Sequence, residues 1–472
     1  MTLFNLLFLL YQMIAVAAII HVVMDNRQPA KATAWALIIW FIPIAGIIAY
    51  LFFGVNTRKE RLISQRSLDE LSKRSMLEFV EQKDLMAPKE HQALIDLFVS
   101  QNFALPYKDN QLTVFTSGYE FFPALLAAIG QAKSHIHIDM YIFEDDPLGQ
   151  TVSDALIAKA RQGVEVKVIY DDVGCWSVKN KFFEQMREEG IEVAPFLPVR
   201  FPSFTSKANY RNHRKIIVID GLTGFIGGMN IALRYVKGLD RQPWRDTMMQ
   251  ISGPGVYALQ RAFLVDWYFV DRTLITNKKY YPAPQATTPG ALLQVVTGSP
   301  ASPSPEIMQG YVRTIMGAKD YVYIETPYFL PTEPVFFAMK TAVASGVDVR
   351  ILVPASGDAH FVEWAQSSYL REAVEAGIQV SLYQTGFLHS KVMVCDDTVA
   401  TCGSTNIDVR SFENNFESNV FIYDRPTALQ LKAMYLDDER QSVLFSEQAH
   451  LMKPSFLARL WESFVRLFSP LF

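Results

Sequence analysis

Two long apolar runs open the chain. Leu3 to Met24 holds no charged residue, and neither does Ala32 to Val55. At ~1.5 Å per helical residue each run matches the ~30 Å of a hydrocarbon core, so residues 1–56 are predicted to form two transmembrane helices. The connector Asp25-Asn26-Arg27-Gln28-Pro29-Ala30-Lys31 is short and polar, which makes the helices antiparallel neighbours. Trp35, Trp40 and Tyr50 suit the membrane interfaces, and Pro43 implies a kink. A secretory signal is the rival reading of the first run, since Ala15-Val16-Ala17 resembles a cleavage site. No Lys or Arg precedes Arg27, however, so the basic start of such a signal is missing. A shallow re-entrant hairpin is the other alternative that Pro43 leaves open. Arg58, Lys59, Arg61 and Arg66 after the second run outnumber Arg27 and Lys31 in the connector. That bias places the rest of the chain on the cytoplasmic side.

Residues 57–110 are charged and helix-prone, a helical connector. Beyond them the pattern changes to short β-branched runs alternating with helical periodicity, and it is written twice. The first copy reads Leu112-Thr113-Val114-Phe115, a helix through Ala127, Ala132-Lys133, the strand Ile136 to Tyr141, a helix, and Gly163-Val164-Glu165-Val166. The second reads Leu293-Gln294-Val295-Val296, a helix, Ala318-Lys319, the strand Tyr321 to Glu325, a helix, and Gly346-Val347-Asp348-Val349. Such alternation predicts α/β units around a mostly parallel or mixed sheet. An offset of about 180 residues is too long for a solenoid and marks a duplicated domain. The first repeat takes residues 111–280 and the second 291–450, with the Pro- and Thr-containing 281–290 as linker. Residues 451–472 close the chain with an amphipathic helix carrying Arg459 and Arg466. Its spacing suits either an anionic membrane interface or the surface of the domain.

Composition narrows the classes. The chain has 44 Lys plus Arg against 48 Asp plus Glu, so it lacks the basic excess of a nucleic-acid binder. Its three cysteines, Cys175, Cys395 and Cys402, form no CxxC pair; they fit a reducing compartment and read as small buried hydrophobes. His135 and His137 stand two apart on a strand, but the second copy has Tyr321 and Tyr323 there. Packing on a strand face is the better reading, and no closed metal-ligand spacing occurs.

The chemistry lies in a doubled motif. His213, Lys215, Asp220, Gly227 and Asn230 recur as His389, Lys391, Asp396, Gly403 and Asn406 with identical spacing. One chance match in a chain this long has a probability on the order of 10⁻⁴, with each residue type at roughly 5% of positions. The run after each His is β-branched and ends in a turn, Asp220-Gly221 or Asp396-Asp397, so it reads as a strand entering a hairpin. Positions i and i+2 of a strand share a face, which brings His and Lys together, with the Asn of the returning strand in reach. Lys supplies a point charge to a phosphate, Asn a neutral donor, and His a nucleophile or proton carrier. Two copies face to face give one imidazole to attack phosphorus and one to protonate the leaving oxygen.

The doubled motif resembles that of the phospholipase D superfamily. The front hairpin, Asn209-Tyr210-Arg211-Asn212, Thr326-Pro327-Tyr328-Phe329-Leu330-Pro331 and Ser469-Pro470-Leu471-Phe472 look like the bacterial cardiolipin synthases within it. The resemblance implies an α/β fold. It would be a duplicated phospholipase D-like domain of two α/β/α sandwich halves with mixed sheets, the active site at their interface, behind the transmembrane hairpin. It implies a phosphatidyltransferase joining two phosphatidylglycerols into cardiolipin and glycerol in the cell membrane, without nucleotide, metal or other cofactor. By the same resemblance His213 attacks the phosphodiester, and His389 protonates the departing glycerol. Lys215, Lys391, Asn230 and Asn406 hold the nonbridging oxygens, and Asp246 and Glu417 orient the imidazoles. Asp220 and Asp396 complete the catalytic motif, although their place at the far end of the strand favours turn capping. Water as second acceptor would make the same site a phospholipase; a nuclease or a non-catalytic lipid-binding protein are the remaining alternatives.

Overall fold

The structure, a computed structural model, describes residues 3–25, 29–54, 88–199, 209–238, 243–283, 289–302 and 304–471. Residues 57–87 of the predicted connector lie outside the described residues. So do Arg27, Arg58, Lys59, Arg61 and Arg66, Phe472, and residues 284–288 of the predicted linker.

The first apolar run is one helix, α1 (Leu3–Asp25), whereas the second is two, α2 (Pro29–Phe41) and α3 (Pro43–Phe53). Pro43 has no N–H to extend the ladder, and the residue before a proline is driven off helical geometry. Ile42 accordingly takes φ −134° and ψ 64°, and the single helix expected over Ala32–Val55 is corrected to this broken pair. Among the described residues no helix is long and apolar enough to cross a membrane. The three helices pack through Ala15, Val22, Ala32, Ile39 and Tyr50, while Leu9, Leu10, Met13, Ile14, Leu37 and Ile48 stay exposed.

After α4 (Gln92–Asn102) the first half runs β1 (Tyr107–Phe115), α5 (Gly118–Gln131), β2 (His135–Met140), α6 (Pro147–Arg161) and β3 (Glu165–Asp171). It continues through α7 (Asn180–Glu188), β4 (Glu192–Phe196), β5 (Arg211–Asn212), β6 (Lys215–Ile219) and β7 (Thr223–Gly227). It ends with α8 (Arg234–Lys237), β8 (Trp244–Arg245), β9 (Met248–Ser252) and α9 (Val256–Asp271). The second half begins β10 (Ala291–Gly298), α10 (Glu306–Gly317), β11 (Tyr321–Glu325), β12 (Phe329–Leu330), α11 (Glu333–Ala344) and β13 (Asp348–Pro354). Next come α12 (His360–Glu375), β14 (Gln379–Tyr383), β15 (Phe387–Leu388), β16 (Val392–Cys395), β17 (Val399–Gly403) and β18 (Ile407–Asp408). Then follow α13 (Val409–Glu413), β19 (Asn415–Ile422), α14 (Arg425–Arg440), β20 (Ser442–Leu444), α15 (Ala449–Met452) and α16 (Phe456–Arg466).

One continuous sheet crosses both halves in the order β20-β14-β13-β11-β16-β17-β19-β10-β1-β9-β7-β6-β2-β3-β4. Outward from the antiparallel β1–β10 pair the two sides repeat one another as far as β4 and β14, and β20 adds an antiparallel edge to the second side alone. The outer strands β2–β3–β4 and β11–β13–β14 are parallel and the inner ones antiparallel, so each half is mixed. The halves are thus fused edge to edge: β1 gives its first residues to β10 and its last to β9. Helices α5–α7 and α10–α12 supply residues to separate cores, while α9 and α14 share a third. In that shared core Val256 and Leu259 join Ile216 and Val218 of one half and Val394, Ala400 and Leu431 of the other.

The motif strands β6 and β16 are buried throughout, which is why Ile216–Ile219 and Val392–Cys395 read as unbroken apolar runs. Each ends in a left-handed turn, with φ 55° at Asp220 and 49° at Asp396, a conformation that aspartate tolerates. The Asp220 carboxylate accepts hydrogen bonds from the N–H groups of Lys133, Ser134 and His135, at 2.7–2.9 Å. Asp396 does the same for Lys319, Asp320 and Tyr321, at 2.7–3.0 Å. Both carboxylates therefore tie down the start of the neighbouring strand, about 16 Å of strand from the Lys end of the motif. These bonds are the turn-capping role that the place of Asp220 and Asp396 at the far end of the strand favours. His135 and His137 also lie within the fold: Gln260 bridges their rings, and His137 stacks on Phe263 at 4.4 Å.

Asp220→Ala and Asp396→Ala each orphan three N–H groups. Each is expected to cost about 2–4 kcal/mol in denaturant unfolding, with turnover per folded molecule within about threefold. Lost turnover at unchanged stability would return these carboxylates to the chemistry.

Candidate active site

The two motif histidines sit just before their strands rather than on them, since β6 begins at Lys215 and β16 at Val392. What fixes them is a pair of short crossings between halves. β5, immediately before His213, pairs in parallel with β19, and His213 N donates to Phe416 O at 2.9 Å. β15, immediately before His389, pairs in parallel with β8, and His389 N donates to Arg245 O at 2.7 Å. Each crossing seats a histidine beside the next residue of the opposite strand, and that residue is a carboxylate.

His213 Nδ1 thus meets Glu417 at 3.0 Å, and His389 Nδ1 meets Asp246 at 2.7 Å. The predicted orienting carboxylates are both in place, each serving the histidine of the other half. A carboxylate only accepts, so the proton lies on Nδ1 and Nε2 is left as the free nitrogen. Lys391 Nζ also lies 2.8 Å from His389 Nδ1, but with that proton in place it donates to the His389 carbonyl oxygen instead. Lys215 Nζ makes the matching bond to His213 O at 2.6 Å. Ser404 Oγ and Asn415 Nδ2 donate to Glu417, and Thr247 N to Asp246 at 2.7 Å, so further donors fix both carboxylates in position.

Both rings line one cleft of about 370 Å³, together with Asn230, Asn406, Arg211, Arg234, Arg410, Tyr328 and Asp408. Asn230 Oδ1 accepts from Ile142 N at 3.0 Å and its Nδ2 donates to Tyr235, which leaves one amide hydrogen for a ligand. Aromatic rings wall the histidines. Tyr141 stands edge-on to His213 at 4.8 Å, and Trp244 lies 5.2 Å from His389. Behind the site two arginines hold the crossings from below. Arg214 binds Asp266 and donates to Glu417 O at 3.0 Å, while Arg245, the residue before Asp246, binds Asp438 at 2.7 Å.

Burial dominates the electrostatics. It pushes His213 down to about 4 against the pull of Glu417, and His389 down to about 3, with Lys391 adding to the effect. It brings Lys215 down to about 7 and Lys391 to about 8. Burial also works against the charge of Asp246, but Lys391 and His389 outweigh it and keep that carboxyl below its usual range. At neutral pH the imidazoles are therefore neutral, Lys215 is about half charged and Lys391 is mostly charged. An arriving anion raises all four affinities for protons at once.

Two neutral imidazoles lining one cleft, each seated on a carboxylate of the other half and each with a motif lysine bound to its own carbonyl, make a site of the phospholipase D type. The comparisons agree. The family model "Cardiolipin synthase, PLD-like domain" matches residues 125–267 and 311–438, and "Phospholipase_D-nuclease N-terminal" matches 13–54. The chain is 38% identical to the major cardiolipin synthase of Bacillus subtilis over 96% of both chains. It is 37% identical to the cardiolipin synthase of Geobacillus kaustophilus over 95% of this chain and 90% of that one. A crystal structure of phosphatidylserine synthase from Haemophilus influenzae shares the fold, with TM-score 0.63 at 17% identity over 80% of this chain and all of that one. The chain belongs to the cardiolipin synthases of the phospholipase D superfamily.

Sequence reasoning missed most of the charged lining of the cleft, which mixes arginines with Asp358 and Asp408. Arg211 lies in the Asn209–Asn212 segment that marks the subfamily, beside His213, and that proximity was its signal. Arg234, Arg410 and Asp408 gave none, because they come from short helices and a bridge strand with no periodicity.

Because protonated lysine is the binding form, kcat/KM is expected to fall as pH rises through 7 to 8. The alkaline fall in kcat, measured with phosphodiester bound, should lie at higher pH. Coincident limbs would show that Lys215 and Lys391 do not hold the phosphate. Glu417→Gln and Asp246→Asn should each lower kcat about 10²- to 10⁴-fold with an unchanged melting point.

Proposed function

We propose that this protein makes cardiolipin from two phosphatidylglycerols through a covalent phosphohistidine. The observation that carries the mechanism is the crossed pair His213–Glu417 and His389–Asp246 in one cleft. In the first step the His213 Nε2 lone pair attacks phosphorus and the bond from phosphorus to the glycerol oxygen breaks. His389, protonated once the anion is bound, gives its proton to that oxygen, and glycerol leaves. In the second step the headgroup hydroxyl of another phosphatidylglycerol gives its proton to His389. Its oxygen then displaces His213 from phosphorus and cardiolipin departs. One diester is exchanged for another, so the free energy of the reaction is small and no nucleotide is called for. Lys215, Lys391, Asn230 and Asn406 bear on the nonbridging oxygens, where charge gathers in the transition state.

Both substrates and the product are bilayer lipids, so the site works at a membrane. The N-terminal hairpin is read as its anchor, crossing the cell membrane twice with the catalytic body on the cytoplasmic side. Supporting this, α1 packs on α2 and α3 through Ala15, Val22, Ala32 and Ile39, which makes the segment one compact hairpin. Their outward faces are apolar, as a lipid-facing helix requires.

With phosphatidylglycerol vesicles the wild type should release cardiolipin and glycerol, and acid-quenched protein should carry a phosphatidyl group on the His213 peptide. His213→Ala should lose both, a drop of at least about 10⁴-fold. Phosphatidic acid as sole product would make the enzyme a hydrolase. Adduct on the His389 peptide would reverse the roles of the two histidines.

A further inference from the structure

Helix α16 is held to the body by a narrow strip. Val465, 1% exposed, packs with Leu330 and Ala365, and ion pairs Arg371–Glu462 and Arg466–Glu372 flank it. The rest of its apolar side chains face outward: Phe456, Leu457, Leu460, Trp461 and Phe464 are exposed, and Leu467 and Phe468 continue the face beyond the helix. Helix α12 widens it with Phe361 and Trp364, both exposed, and Trp364 stands edge-on to Trp461 at 5.7 Å. A contiguous apolar surface of this size marks a contact site rather than an ordinary solvated face. Lys453 and Arg459, exposed beside it, add positive charge.

Two neighbours indicate what covers this face. The strip beneath α16 is the back of the cleft wall, since Leu330 and Val362 pack in the Val465 cluster and also line the cleft with His213 and His389. The turn after α16, residues Ser469–Leu471, reaches α13, where Asn414 Nδ2 donates to Pro470 O at 3.5 Å. On that same short helix Glu413 holds Lys31 of α2 at 2.6 Å. The exposed apolar hairpin and the α12–α16 face are therefore joined through α13, with one wall of the cleft beneath the second. A lipid bilayer suits both apolar surfaces at once.

We infer that the α12–α16 face is a second membrane-contacting surface, seated at the boundary between headgroups and acyl chains of an anionic phospholipid bilayer. Its position lets a lipid keep its acyl chains in the bilayer while the phosphodiester passes Leu330 and Val362 to the histidines. The route, though not the contact itself, rests on the phospholipid reading above.

The test uses the full chain reconstituted in phosphatidylglycerol-containing nanodiscs. An environment-sensitive fluorophore is placed on Leu457→Cys, Leu460→Cys or, as control, Leu429→Cys, which is exposed on α14 at the opposite face of the sheet. The native cysteines are buried. Acyl-brominated lipid is expected to quench the fluorophores at 457 and 460 by more than half and to spare 429. Equal emission at all three positions would overturn the proposal, and so would disulfide cross-linking between copies of the unlabelled Leu457→Cys chain in the nanodiscs. Activity supplies the second arm, with Leu457→Glu, Leu460→Glu and Leu467→Glu combined. Turnover of long-chain phosphatidylglycerol in vesicles should fall at least tenfold, with monomeric short-chain phosphatidylglycerol kept within twofold. Equal loss on both substrates would make α16 a structural wall and no more. A wild type inactive on both would instead refute the lipid reaction, while the quenching would still report the surface.

Discussion

Everything at this site depends on two parallel backbone crossings of two residues each, β5 on β19 and β15 on β8. They bring His213 to a carboxylate 204 positions away and His389 to one 143 positions away. A side-chain contact alone leaves rotamer freedom on both partners. A backbone bond on each histidine N–H removes most of it, so ring orientation is set before any substrate arrives. The arginines below the crossings, with their buried acidic partners, hold the same short segments from the other side.

Burial gives the site its waiting state. Desolvation disfavours every charge in the cleft, and the paired carboxylates return only part of what is lost. The lysines are consequently weak acids near neutrality, and the imidazoles stay neutral until an anion enters. A phosphodiester thus completes the charge balance of the pocket it occupies. Preorganised donors in such a place act on the developing negative charge with little reorganisation.

Much of this was legible in the residues. The duplicated motif, the two-fold run of strands and the strand Tyr321–Glu325 follow from periodicity and spacing, since those signals are local. The partner carboxylates could be named, but their exchange between halves could not, because nothing local records which of two equivalent sites a residue will reach. Placing the histidines on the strands was wrong for a related reason. The β-branched pattern starts only at Lys215 and Val392, and the residues before them are shaped by the opposite half. The break in the second apolar run was signalled by Pro43 as a kink, and only its extent, two separate helices, went beyond the sequence. Arg234 and Arg410 in the charged lining stayed hidden because short irregular segments carry no period.

The junction between β1 and β10 carries a historical implication. An antiparallel ladder is self-complementary, so a two-fold axis through it can join two identical edges as readily as two different ones. The register Tyr107↔Leu293 and Asn110↔Ala291 lies at the centre of a strand order that is nearly the same read in either direction. A single ancestral half, paired with a copy of itself across this edge, would have supplied each histidine with its neighbour's carboxylate. Carried on one chain, the two halves need not be identical, and they are not: a glutamate serves His213 and an aspartate serves His389.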